Sequence, residues 1–170
     1  MDAQERRQAI ARRLEEASGP VSAAVLAREH SVSRQIIVGD IALLRAGGMD
    51  IAATPRGYVL PAPAAGLVRT LACRHRADQM EEELNAMVDQ GCTVLDVIVE
   101  HPVYGQLTGQ LQISSRYDVE QFLARVQAHD AAPLSMLTGG IHLHTLRCPD
   151  AAAGERACAA LKAAGLLLDD

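Results

Sequence analysis

The sequence predicts an α+β protein in two parts: three short helices closed by a small hairpin, then a segment in the order β-α-β-β-α-β-β-α. Three observations predict it. Apolar residues recur at helical spacing through the first third of the chain. After residue 66, period-two alternation and helical spacing take turns, as a mixed sheet-and-helix domain requires. Between the two lies Pro61-Ala62-Pro63-Ala64-Ala65-Gly66, rich in proline and small residues and without an apolar period. The expected boundaries are residues 1–60 for the first domain, 61–66 for a linker and 67–170 for the second.

Residues 3–17 read as an amphipathic helix with Ile10, Leu14 and Ala17 on one side, ended by Ser18-Gly19-Pro20. Ser22 to Glu29 forms a second helix. Ser33 can cap a third, from Arg34 to Ala46, whose buried stripe is Ile37, Ile41 and Leu44 and which Gly47-Gly48 stops. Two short extended segments, Ile51-Ala52-Ala53 and Gly57 to Leu60, then flank Thr54-Pro55-Arg56. In the second part, Leu67 to Arg74 is an expected strand and Asp78 to Gln90 a helix. Thr93 to Glu100 and Gly105 to Ser114 are a strand pair, followed by a helix from Tyr117 to Ala128. Pro133 to Met136 reads as a short strand, Ile141 to Cys148 as another, and Ala151 to Ala164 as the last helix.

The 170 residues permit one ordinary core or two small ones, and 49% hydrophobic with 22% charged residues marks a folding chain rather than a disordered one. Only Tyr58, Tyr104, Tyr117 and Phe122 are aromatic, which disfavours a single-strand nucleic-acid reader needing stacking platforms. Net charge is −5, but unevenly placed: residues 1–65 carry eight Arg against seven acids, and residues 66–170 eight basic residues against fourteen acids. The four cysteines lack metal or redox spacing, no leader-like segment is present and no apolar run is long enough to span a bilayer. A reducing cytoplasm with no membrane partner is the expectation.

Three compact helices followed by a hairpin are the ingredients of a winged helix-turn-helix, in which the third helix enters the major groove and the wing touches the backbone. On that helix Ser33, Arg34, Gln35 and Val38 are the candidates nearest base edges. Arg45 and Arg56 are the candidates for phosphate. Gly39 stands mid-helix, where it costs about 1 kcal/mol relative to Ala and is expected to loosen the helix. The stretch Val32 to Ala46, followed by Ala53-Thr54-Pro55-Arg56-Gly57-Tyr58, resembles the winged helix-turn-helix of the biotin-ligase and niacin-responsive repressors.

In the second part, His142 and His144 alternate on an expected strand and so share one face, and Gly139-Gly140 before them allows a close backbone approach. Cys73 and Cys148 share strand parity with neighbouring histidines and could be alternative thiolate ligands, although buried strand cysteines are more often core residues. From spacing alone the His-x-His pair is either a ligand pair or two exposed histidines. The wider set is similar to the three-histidine (3H) effector domain. His75, Glu83, the string from Asp96 to Gly105 and the string from Leu137 to Leu146 carry that resemblance.

Together with the winged helix, the chain resembles the niacin-responsive repressor family over nearly its whole length. The resemblance implies a homodimer that binds operator DNA, holds a divalent transition metal (nickel, zinc or iron) on His75, Glu83, His142 and His144, and senses nicotinic acid. It also implies repression of genes for niacin uptake or NAD biosynthesis, with nicotinic acid as co-repressor and no enzymatic activity. His101, Tyr104, Thr138, Gly139 and Gly140 are the candidates to meet the effector. Two rivals share the same ligand chemistry: a metalloenzyme fused to a DNA reader, since three histidines and a carboxylate with an open position also serve hydrolases, and a repressor for which the metal itself or another effector is the signal.

Overall fold

The computed structural model describes residues 2–61 and 66–168, and they fall in two compact units, residues 1–63 and 64–170. Residues 62–65 of the expected linker lie outside the described residues.

In the first unit, α1 (Ala3–Glu15), α2 (Ala23–Glu29) and α3 (Arg34–Ala46) enclose Ile10, Leu14, Leu26, Ile37 and Ile41. The spacing of these side chains explains why the helices form: each helix contributes one apolar stripe, and none could bury it alone. Serines start α2 and α3. The Ser22 hydroxyl accepts the Val25 amide at 3.2 Å and the Ser33 hydroxyl accepts the Ile36 amide at 3.3 Å. α3 runs unbroken through Gly39 to Ala46. A buried ion pair fastens α3 to α1, with Arg6 Nε 2.6 Å from Asp40 Oδ2.

The hairpin is β1 (Ala52–Thr54) against β2 (Gly57–Val59), joined by a bridge from Val21 to Tyr58. Gly57 permits that bridge. Its φ is +137°, and a Cβ there would stand 2.4 Å from the Val21 carbonyl oxygen.

The second unit holds β3 (Leu67–Arg74), α4 (Met80–Val88), β4 (Thr93–His101), β5 (Gly105–Ile113), α5 (Arg116–Ala128), β6 (Ile141–Cys148) and α6 (Ala151–Ala163). The four strands form one antiparallel sheet in the order β3-β6-β4-β5. One face packs Leu71, Cys73, Val94, Leu111, Ile113, Leu146 and Cys148 against Leu84, Met87, Val119, Ala157 and Leu161 from the helices, forming one continuous core.

Two sequence expectations are corrected. Pro133–Met136 is not a strand: Leu134–Thr138 forms a 3-10 turn, with the Met136 amide bonded to the Pro133 carbonyl at 3.0 Å. Pro133 has no amide to give a ladder, and Gly139 at φ +61° supplies the left-handed stop that returns the chain into β6. Among the described residues the sheet therefore has four strands, not five. The helix expected from Asp78 begins as a 3-10 turn at Ala77–Gln79 before α4 takes over.

β4 carries one residue too many for its neighbour. Val94 opposes Leu146 and Val97 opposes His144, so three steps on β4 match two on β6, and Leu95 is the extra residue of a bulge.

Candidate metal centre and nucleic-acid interface

His142 and His144 follow the alternation of β6 onto the helix-covered face, where both are 3% exposed. His75 lies just beyond β3, its amide bonded to the Gly140 carbonyl at 3.4 Å. Glu83 sits in the first turn of α4, 1% exposed, where the helix N-terminus favours negative charge. The structure thus brings together all four side chains singled out from the sequence.

Glu83 Oε2 is 2.6 Å from His75 Nε2, Glu83 Oε1 is 2.7 Å from His142 Nε2, and His144 Nε2 is 3.3 Å from Oε2. The rings meet edge to face, with centroids 4.8 Å apart for His75 and His142 and 4.9 Å for His142 and His144.

The other ring nitrogens determine what this arrangement can bind. Nδ1 of His75 faces the Arg76 carbonyl at 2.6 Å, Nδ1 of His142 the Gly140 carbonyl at 2.8 Å, and Nδ1 of His144 the Asp96 carbonyl at 2.7 Å. A carbonyl oxygen only accepts, so each Nδ1 carries a proton, and in the neutral ring each Nε2 presents a lone pair. Three lone pairs and a carboxylate then converge in a space closed to water. Such a set needs positive charge at its centre. His144 Nε2 is buried with no hydrogen bond among the described residues, the signature of a donor atom whose partner is an ion. Backbone carbonyls fixing the ligand tautomer are the outer support usual around metal-binding histidines, so these residues fit a divalent transition metal.

Burial disfavours the charged forms of His75 and His144, but the adjoining Glu83 carboxylate outweighs it and raises both above the ordinary histidine value. Burial also opposes ionised Glu83, yet the charge of His144 and the hydrogen bonds from His142 and His75 hold it well below the usual carboxylate range.

Sequence reasoning set Cys73 aside as a core residue. It is opposite His142 in the sheet, and its sulfur lies within 4.8 Å of the ligand atoms of Glu83 and His142. Burial first, then Glu83, pushes its thiol up, so it stays protonated beside the cluster. Its parity with His75 was the available signal. Cys148 is elsewhere, with its sulfur 3.5 Å from that of Cys92.

The five candidate effector residues divide. Thr138 donates its hydroxyl to the Ser135 carbonyl at 3.2 Å and to the Ile141 carbonyl, while the amides of Gly139 and Gly140 both turn to Ser135. These three donors are engaged within the chain in this conformation. His101 and Tyr104 lie at the β4–β5 hairpin. Nδ1 of His101 accepts the Val103 and Tyr104 amides at 3.1 and 3.3 Å, so the ring caps the turn, and Tyr104 stacks on it at 5.0 Å. His101 is four residues along β4 from Val97, the partner of His144, a distance of about 13 Å for an extended strand.

In the first unit Arg34, Gln35 and Val38 are exposed on α3, and Ser33 is occupied as its cap. Arg45 Nε donates to the Ile51 carbonyl at 2.8 Å and its guanidinium lies over Tyr58, 5.8 Å from the ring centre, so it braces the hairpin. Arg56 sits at the hairpin tip, its amide bonded to Thr54 Oγ1 at 3.2 Å. Among the described residues no helix is long and apolar enough to cross a membrane.

Residues 6–59 match the model of an HTH domain and residues 68–170 that of the 3H domain. The chain is 46% identical over 167 residues to the "Probable transcription repressor NiaR" of Thermotoga maritima, covering 98% of this chain and 95% of that protein. It is 45% identical over 161 residues to the "Transcription repressor NadR" of Bacillus subtilis, covering 92% of this chain and 89% of that protein.

Proposed function

The chain belongs to the family of transcription repressors that join an HTH domain to a 3H domain, not to an enzyme family, and from that premise we propose that it is a nicotinic acid-responsive, metal-dependent repressor. The observation that carries the metal is the locked tautomer of three histidines, whose Nε2 atoms converge with Glu83. His75, Glu83, His142 and His144 would hold a divalent transition ion such as nickel, zinc or iron, which would supply a Lewis acid for the pyridine nitrogen of nicotinate. Among the five candidate effector residues, His101 retains an uncommitted ring nitrogen, and Tyr104 beside it frames the outer end of the approach.

A homodimer presents α3 of each protomer to one half of a two-fold operator. Arg34 and Gln35 read base edges, Ser33 and Val38 lie against them, and Arg45 and Arg56 meet phosphates. Nicotinate acts as co-repressor by preferring the dimer geometry that matches the half-sites, since a ligand shifts an equilibrium only by its differential affinity. The regulated genes serve niacin uptake or NAD biosynthesis in the cytoplasm.

Mobility shift at fixed salt with the metal-loaded chain, in parallel with nicotinate, nicotinamide and NAD and with or without chelator, tests this reading. DNA binding that requires both metal and nicotinate is the expected result. Binding that follows metal alone would make the ion the signal.

A further inference from the structure

The three large apolar side chains left exposed among the described residues of the first unit, Ile36, Val38 and Leu43, are 42%, 44% and 57% exposed and all stand on α3. A helix face that meets only water ordinarily carries charge. Between Arg34 and Arg45, however, the outward positions hold Gln35, Ile36, Val38, Gly39, Ala42 and Leu43 and no ionised group. At about 100° per residue Gly39 falls beside Gln35 in the middle of this face, with Val38 on one flank and Ile36 and Leu43 on the other. The face is apolar, and lowest at its centre.

Nothing among the described residues requires that low point. A Cβ built on Gly39 meets no atom within 4 Å, and its backbone is helical, so alanine would fit and would strengthen the helix. The glycine is explained by something that approaches from outside. In a transcription repressor with an HTH domain the object brought to this helix is the major groove of duplex DNA, where thymine alone among the four bases presents a methyl group.

We infer that α3 reads thymine: Ile36 and Val38, on opposite flanks of this face, pack on C5-methyl groups of half-site thymines, and Gly39 is the point of closest approach of the helix backbone to the base edges. The inference rests on α3 being the DNA-reading helix of the proposed function. Arg34 at the N-terminal end and Arg56 on the hairpin supply the charge that holds the helix in register, and the apolar face supplies the discrimination.

The full metal-loaded chain, with nicotinate present, is used to select duplexes from a random-sequence pool. The selected duplex is then remade with deoxyuridine for thymidine, which removes only the methyl groups. Wild-type affinity should fall about tenfold, the scale of two buried methyl contacts. Ile36→Ala/Val38→Ala should bind the two duplexes equally, with unchanged melting because both side chains are exposed. Gly39→Ala should melt higher and bind the selected duplex more weakly, a pairing of signs that a purely structural glycine cannot give.

Equal wild-type affinity for thymine and uracil duplexes overturns the methyl reading. A Gly39→Ala chain that binds as well as wild type overturns the close approach. If the double variant instead changes the oligomeric state, the face belongs to a second copy of the chain and the inference fails. In each of these cases the chain still binds DNA, whereas a chain that selects no duplex at all fails the proposed function itself.

Discussion

The carbonyl oxygen of Gly140 lies 2.8 Å from Nδ1 of His142 and also receives the amide of His75, so one peptide group aims two of the four centre-forming side chains. Its neighbour Gly139 does neither. A Cβ on Gly140 would stand 2.4 Å from the His75 carbonyl oxygen, at φ +93°, whereas one on Gly139 meets nothing within 4 Å. Gly140→Ala should therefore weaken nickel or zinc binding at least tenfold in a competition titration with a colorimetric chelator. Gly139→Ala pays only the left-handed backbone penalty of about 1–2 kcal/mol and should leave metal affinity near wild type.

Asp96 supports the centre from the opposite face of the sheet. Its carbonyl receives Nδ1 of His144 at 2.7 Å while its side-chain Oδ1 accepts the Thr145 amide at 3.0 Å, holding the bulge closed. Asp96→Ala should lower metal affinity by about 10-fold or more, the range seen for outer supports of metal-binding histidines. Asp96→Asn keeps an acceptor at that place and should recover most of the loss in the same titration.

The metal-free chain should have an unusual pH profile. Groups with raised folded pKa values, His75 and His144, contribute stability that is fully present below the ordinary histidine value of 6.5 and is lost as pH rises through their folded values. Glu83, depressed, contributes stability present above its ordinary value of 4.5 and lost as pH falls through its folded value. Thermal melts in chelator should thus show this contribution greatest between pH 4.5 and 6.5 and declining above. With nickel or zinc present the slope above pH 6.5 should reverse, because the ion replaces the protons on Nε2. Parallel slopes in the two conditions would refute this account of the cluster.

Ile37 is wholly buried in the first unit, among Ile10, Leu14 and Leu26. Ile37→Ala should cost about 2–5 kcal/mol there and abolish the mobility shift. The second unit has its own core, so metal stoichiometry should stay unchanged, and calorimetry should show one transition lowered and one retained.

Legibility in the sequence followed the range of the forces involved. The span of α3 and the strands Leu67–Arg74 and Ile141–Cys148 were readable because caps and alternation are local. Pro133–Met136 misled because a short apolar run after proline looks the same whether it pairs with a strand or coils into a 3-10 turn. In the candidate centre, His142 and His144 announced themselves by parity. His75 and Glu83 needed family resemblance, since their meeting depends on how α4 lies across the sheet. Support from the carbonyls of Arg76, Asp96 and Gly140 had no sequence signal, because any residue carries a carbonyl. The outward face of α3 was half legible: Val38 was singled out, while Ile36 and Leu43 were not, and it is burial that separates them from Ile37 and Ile41.

Leu95, the extra residue on β4, works as a phase shifter. Val94 and Val97 are three apart, a spacing that in a regular strand points to opposite sides of the sheet; because the bulge at Leu95 takes up one step, both lie on the side that holds Leu146 and His144. A single-codon deletion of Leu95 would leave the two valines two apart and still on one side, in unbroken register with β6. In β4 the place of a lost residue thus matters more than the loss itself: the bulge can give one up, whereas a residue lost between Val97 and Val99 would turn one of the two outward.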